Sequence, residues 1–202
     1  MTWLWSNISR IFEYLDQGGL VMEPLLLISV LMWVLIIKRG LYLRRMRVRN
    51  MPREMAAQLI QENQQPDFME FRGATALVVS EFLKRREANP GVDRSTMDET
   101  VMAVASSFDK QLSVITVLAS IAPLLGLLGT VLGMISTFDV ISLHGTGNAR
   151  AMAGGISEAL ISTQTGLLVA IPGLTMKNFL ASRAQTLKHR VSSLGIFLGR
   201  RL

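Results

Sequence analysis

The sequence predicts an all-α membrane protein with three transmembrane helices and long helical extensions beyond the bilayer. Three observations carry this. Gln111 to Phe138 is an uncharged run of about 28 residues, more than the ~20 a helix needs to cross the hydrocarbon core. Two further apolar stretches, Gly18 to Ile37 and Gly155 to Met176, are each followed by lysines and arginines, as the ends of spans on the inner side of a membrane are. The polar stretch between the first two spans has helical rather than alternating spacing of its apolar residues.

Composition narrows the class. With 202 residues, 50% of them hydrophobic, the chain is too apolar for a typical soluble domain and too short for a many-helix transporter. It has no cysteine, so disulfides and thiolate metal sites are excluded, and the isolated His144 and His189 make no metal cluster. No cofactor is expected. The net charge of +6 does not point to nucleic acid, because the cations sit beside membrane segments, where topology and anionic lipid account for them.

In chain order, residues 1–17 read as an interfacial helix on the outer side rather than a signal peptide. Leu4, Ile8, Ile11, Phe12 and Leu15 recur at helical steps, Trp3 and Trp5 suit the headgroup level, and Glu13 and Asp16 interrupt the apolar character. Residues 18–38 form the first span, with Glu23 near one end. The block Lys38, Arg39, Arg44, Arg45, Arg47 and Arg49 then places residue 39 onward on the inside. Residues 39–110 form a polar helical segment. Pro52 opens one helix, and Pro66 opens another that carries Phe68, Phe71, Leu77, Val78, Phe82 and Leu83. Asn89-Pro90-Gly91 breaks the chain, and Ser95 with Asp98 and Thr96 with Glu99 match capping boxes. From Ser95 no Gly or Pro intervenes until Pro123, so one helix of about 43 residues and near 65 Å is expected to enter the second span, 111–139. Residues 140–155 are an outer loop with few cations, 156–177 the third span, and 178–202 an amphipathic inner helix reaching about Leu198.

The central run has two faces. Ala122, Gly126, Gly129 and Gly133 fall at three- and four-residue steps, a strip of small residues that lets another helix approach closely. A second strip carries Thr116, Ser120, Thr130 and Thr137. Hydroxyls at membrane depth either bond to their own backbone or line a wet path or another helix, and both readings stand at this point.

The string Ala122-Pro123-Leu124-Leu125-Gly126-Leu127-Leu128-Gly129-Thr130-Val131-Leu132-Gly133-Met134 resembles the ExbB/TolQ/MotA proton-channel family, nearest its ExbB branch. So do Gly155-Ile156-Ser157-Glu158-Ala159-Leu160, Thr163, Gly166-Leu167 and Ala170-Ile171-Pro172, and together these cover the last two spans. The resemblance implies a multi-pass inner-membrane protein, N-terminus periplasmic and C-terminus cytoplasmic, that forms a homopentamer. Its implied partners are a dimer of a single-span ExbD/TolR-like protein with one membrane aspartate, and a TonB-like protein that receives the work of the proton-motive force. It also implies functional positions at Thr130, Thr163 and Glu158. Gln164 and Lys177 depart from the family's usual residues, which leaves the branch open between ExbB-like, TolQ-like and MotA-like outputs.

Depth is consistent with that carry-over. Counted from the outer helix ends near Phe138 and Ile156, Thr130 and Thr163 both lie ~11–12 Å down. Glu158 is turned from Thr163 by about 140° around the helix, so it is expected at a neighbouring subunit or the outer water entrance, or simply as a carboxylate favoured at a helix N-terminus. Pro123 and Pro172 are expected to kink their helices. No phosphate loop, nucleophile–base set or metal spacing suggests an enzyme. A non-conducting membrane scaffold is the alternative from another class.

Overall fold

A computed structural model describes residues 17–48, 50–67, 69, 71–87, 90–145 and 149–201. They form six helices: α1 Met22–Val48, α2 Arg53–Gln61, α3 Ala74–Arg85, α4 Pro90–Ser107, α5 Leu112–His144 and α6 Ala149–Gly199. No strand occurs among the described residues. Met22–Val48, Gly91–His144 and Met152–Gly199 are long and apolar enough to cross a membrane. The expected interfacial helix over 1–17 lies outside the described residues except for Gln17.

The chain divides into two compact units. The first comprises residues 17–36 and Val114–Lys177. Its interior is made of small and medium side chains: Val21, Met22 and Leu25 at the start of α1, Ala122 of α5 and Ala170 of α6, flanked by Leu125, Ile161 and Val169. Met32 and Ala119 close on Gly173, where a Cβ would stand 2.8 Å from Met32 Cε and 3.2 Å from Ala119 Cβ. The large apolar side chains, among them Leu27, Val30, Leu124, Leu168 and Ile171, point outward. A water-soluble unit would bury them. Here small residues fill the helix contacts while many large ones face out, the arrangement of helices that associate by close backbone approach in lipid.

The second unit comprises Ile37–Ser113 and Asn178–Leu202. Within it α3 packs on both α2 and α4. Ala56, Ala57 and Ile60 bury one side of α2, and Val78, Val79 and Phe82 are fully buried in α3. Leu180, Ala184, Leu187, Val191, Leu194 and Leu198, at helical steps along α6, form one buried stripe. Arg86 ties α2, α3 and α4 together: its Nε meets Asp93 Oδ2 at 3.0 Å and its Nη1 donates to the Ile60 carbonyl at 2.6 Å.

Three expected boundaries are corrected. The helix attributed to Pro66 begins at Ala74. Its early N–H at Thr75 is capped by Asn50 Oδ1 at 3.0 Å, so a side chain 25 residues upstream sets the start. The helix expected from Ser95 already begins at Pro90. Ser95 Oγ donates to the Val92 carbonyl at 2.8 Å, so this hydroxyl acts inside the helix rather than as a cap, and Thr96, six residues past Pro90, also lies inside the helix.

The single 43-residue helix is also corrected. α4 stops at Ser107, α5 starts at Leu112, and Gln111 between them has φ +70°. Ser106 and Ser107 donate their hydroxyls to the Ala103 and Val104 carbonyls at 2.9 and 2.6 Å. The Ser107 carbonyl accepts Arg39 Nη2 at 2.7 Å instead of continuing the helical ladder. Arg39 is 5% exposed and lies 4.8 Å over the Tyr42 ring, and its Nε has no partner among the described residues. Arg39→Leu is expected to destabilise the chain by about 2 kcal/mol, the cost of an orphaned buried carbonyl, in denaturant unfolding in detergent. A loss under about 0.5 kcal/mol would show that the guanidinium does not hold the turn.

Candidate functional site

The site is built where α5 crosses α6. On α5 the small strip Ala122, Gly126, Gly129 and Gly133 is buried. On α6 a matching strip runs through Gly155, Ala159, Ser162 and Gly166. A Cβ on Gly126 would stand 2.9 Å from the Ser162 carbonyl and 3.1 Å from Thr163 Cα, and one on Gly166 would stand 2.7 Å from the Ala122 carbonyl. At the end of the crossing toward the C-terminus of α5 a Cβ on Gly133 would lie 2.6 Å from the Gly155 carbonyl. At Gly126, Gly133 and Gly166 backbone meets backbone, so nothing larger than hydrogen fits there, and Gly129 leaves room for the Ser162 side chain. Pro123 and Pro172 sit inside α5 and α6 without ending them.

That proximity lets hydroxyls of α6 reach carbonyls of α5. Ser162 Oγ is fully buried and donates to Ala159 O at 2.9 Å or Gly126 O at 3.3 Å. Thr163 Oγ1 is placed the same way, 3.2 Å from Gly126 O and 3.3 Å from Ala159 O. Thr130 Oγ1 donates to Leu127 O at 2.6 Å. Thr130 and Thr163 therefore anchor on consecutive carbonyls of α5, which differ by about 1.5 Å along the helix axis. Thr137, buried beside Gly155, donates to Gly133 O at 2.9 Å.

A hydroxyl has one proton and two lone pairs. With the proton committed to a backbone carbonyl, Thr130 and Thr163 present lone pairs: both are half-buried and can accept from a water or a protonated acid. Ser162, fully enclosed, can only brace the crossing. Sequence reasoning passed over this brace, although Gly155, Ala159, Ser162, Gly166, Ala170 and Gly173 repeat at the same three- and four-residue steps as the strip on α5.

Glu158 does not join the threonines. Its carboxylate lies against Gly19 of the same chain, in the turn before α1, and fills the space where a side chain at position 19 would begin. Gly19 has φ +69°, a conformation that favours glycine independently of that space. In the first unit the acids of the described chain are Glu23, Asp139 and Glu158, all toward span ends, and none lies beside Thr130 or Thr163. No group of three or more potential metal ligands comes together among the described residues.

Residues 52–193 match the model of the MotA/TolQ/ExbB proton channel family. The chain is 32% identical over 188 residues to the biopolymer transport protein ExbB-like 1 of Synechocystis sp., covering 88% of this chain and 73% of that protein. It is 40% identical over 95 residues to the biopolymer transport protein ExbB of Aquifex aeolicus, covering 46% and 64% respectively. It is also 30% identical over 115 residues to the Tol-Pal system protein TolQ of Haemophilus influenzae, covering 54% and 50%.

Proposed function

The chain belongs to the MotA/TolQ/ExbB proton channel family, and from that premise we propose that it is the multi-span subunit of an ExbB-type complex, which uses the proton-motive force to energise a TonB-like protein for transport across the outer membrane. It sits in the inner membrane with residues 1–17 and 140–155 periplasmic, 18–38, 111–139 and 156–177 in the bilayer, and 39–110 and 178–202 cytoplasmic. Five copies surround a dimer of an ExbD/TolR-like single-span protein whose membrane aspartate carries the proton.

The observation that supports this reading is a division of labour. The crossing offers oriented hydroxyl lone pairs at Thr130 and Thr163, while Glu23, Asp139 and Glu158, the acids of the first unit among the described residues, stand toward the ends of the spans. Lone pairs stabilise a neutral, protonated carboxyl, and desolvation at that depth favours the same form. An acid brought in by the partner would be held protonated beside these threonines and would release its proton on reaching a wetter position.

Reconstitution tests this. Liposomes containing the chain alone are expected to show no proton leak, and those containing it with the single-span partner to show one. Thr163→Val or Thr130→Val is expected to reduce the flux about five- to tenfold, the worth of one lost hydrogen bond, and Thr→Ser to keep it. Flux from the chain alone, or full flux in both valine variants, would sink the reading in favour of a non-conducting scaffold. Similarity to TolQ keeps an envelope-complex output as the second reading; co-purification of the output protein decides between the two.

A further inference from the structure

The second unit contains a concave arginine site that proton conduction does not use. Arg44 and Arg47 of α1 face Arg183 and Arg190 of α6 across a groove of about 510 Å³. Leu43 and Leu187, 2% and 3% exposed, belong to its lining. No carboxylate among the described residues lines it. Among the described residues Arg44, Arg47 and Arg190 have no ion pair or hydrogen bond, and Arg183 only stacks 4.2 Å over Phe179.

Four cations elsewhere in this unit are paired, Arg86 with Asp93, Lys84 and Arg85 with Glu81, and Lys188 with Asp109, while others such as Arg45 and Arg94 have no ion pair among the described residues but do not line the groove. Four guanidinium groups converging without a counter-charge repel one another, a cost that an anion filling the groove would turn into attraction. Guanidinium is also the group suited to bidentate contact with phosphate. Spacing produces the convergence: Arg44 and Arg47 are three residues apart on α1, Arg183 and Arg190 seven apart on α6, so each pair shares a helix face.

We propose that this groove binds the phosphate-bearing headgroup of an anionic membrane phospholipid. Two observations favour a lipid over free phosphate. The volume lies in the range of roughly 300–1,000 Å³ typical of sites for drug-sized molecules, far larger than one phosphate needs, and leucines line it beside the charges. α1 is itself a candidate span, and Arg44 follows its last uninterrupted apolar residue, Ile37, by seven positions, about 10 Å of helix. From there the long arginine side chains reach back to the headgroup layer. Generic positive-inside charge requires only cations near the span. This site adds four arginines around a cavity, and so predicts selectivity for one bound molecule.

Native mass spectrometry of the full chain, purified in detergent with whatever subunits accompany it, tests the site. The probes are phosphatidylglycerol, phosphatidylcholine and inorganic phosphate. Retention of phosphatidylglycerol is expected to exceed that of phosphatidylcholine about tenfold. Arg47→Gln with Arg190→Gln should abolish that preference, and Arg94→Gln with Arg200→Gln, of equal charge change outside the groove, should leave it intact. Arg47→Lys with Arg190→Lys, which keeps charge and loses the bidentate fork, should fall between and serves if the glutamine pair does not fold. Equal retention in the groove and control pairs would overturn the proposal. Displacement of the lipid by millimolar inorganic phosphate would overturn the lipid as the source. Neither result bears on proton flux, which is read separately.

Discussion

Gly126→Leu is expected to destabilise the chain by about 3 kcal/mol, the upper end of the cost of overpacking a tight contact. The atoms a Cβ would meet are the Ser162 carbonyl at 2.9 Å, Thr163 Cα at 3.1 Å and Gly166 Cα at 3.4 Å. All are main chain, so no flexible side chain can swing aside. Relief requires α5 and α6 to separate, and separation also breaks the reach of Ser162 and Thr163 to Gly126 O, each such bond being worth about 0.6 kcal/mol on average within a membrane. Thermal or denaturant unfolding in detergent measures the effect. Gly154→Ala on the same α6 is the control: nothing lies within 4 Å of the added methyl, and replacing glycine by alanine inside a helix is neutral or stabilising by up to about 1 kcal/mol. If the two substitutions behaved alike, the backbone contact described here would be wrong.

A loss of about 3 kcal/mol or more is likewise expected from Asp93→Ala, for a different reason. The Asp93 side chain is 3% exposed and serves two donors, Arg86 Nε at 3.0 Å and the Glu87 N–H at 3.3 Å. Arg86 is 22% exposed and also holds the Ile60 carbonyl, so its guanidinium cannot escape to water without releasing α2. Deleting the acid leaves a largely buried cation without its counter-charge, which costs about 3–5 kcal/mol in such sites. Asp93→Asn keeps an acceptor for Glu87 and should cost about half as much. Chemical denaturation of the full chain separates these outcomes, and an alanine variant within 1 kcal/mol of wild type would count against Asp93 as the junction of α2, α3 and α4.

Most of what a bilayer imposes could be read from the residues. A span is a demand on composition, so the uncharged run over α5 and the cation blocks after the first and third spans located the membrane helices. The amphipathic end of α6 was legible for a similar reason, its buried leucines recurring at helical steps up to Leu198. What escaped were features enforced from a distance. Nothing near Phe108–Gln111 is a helix breaker; the turn is held by Arg39, 68 residues away in sequence. The start of α3 is capped by Asn50 rather than announced by Pro66. Ser95 and Thr96 had the spacing of caps, but Pro90, suited to a first helical turn, had already begun the helix.

The same contrast holds at the site. The glycine strip on α5 was visible because glycine has few other reasons to recur at that spacing in a span. Its complement on α6 contains an alanine and a serine, which blend into an ordinary apolar helix. That Thr163 and Ser162 both lean on Gly126 depends on pairing residues 36 and 37 positions apart, which periodicity within one helix cannot supply.

The turn at Phe108–Gln111 also bears on how chains of this kind can change length. Each residue added to a continuous helix rotates everything beyond it by about 100°. α6 is unbroken from Ala149 to Gly199, so an insertion midway would swing the stripe from Leu180 to Leu198 out of its packing. Between α4 and α5 the count starts afresh at Leu112, and Gln111 absorbs the mismatch in a single left-handed residue. Codons can therefore be gained or lost ahead of Ser107 without re-phasing the glycines of α5, whereas α6 admits no such edit.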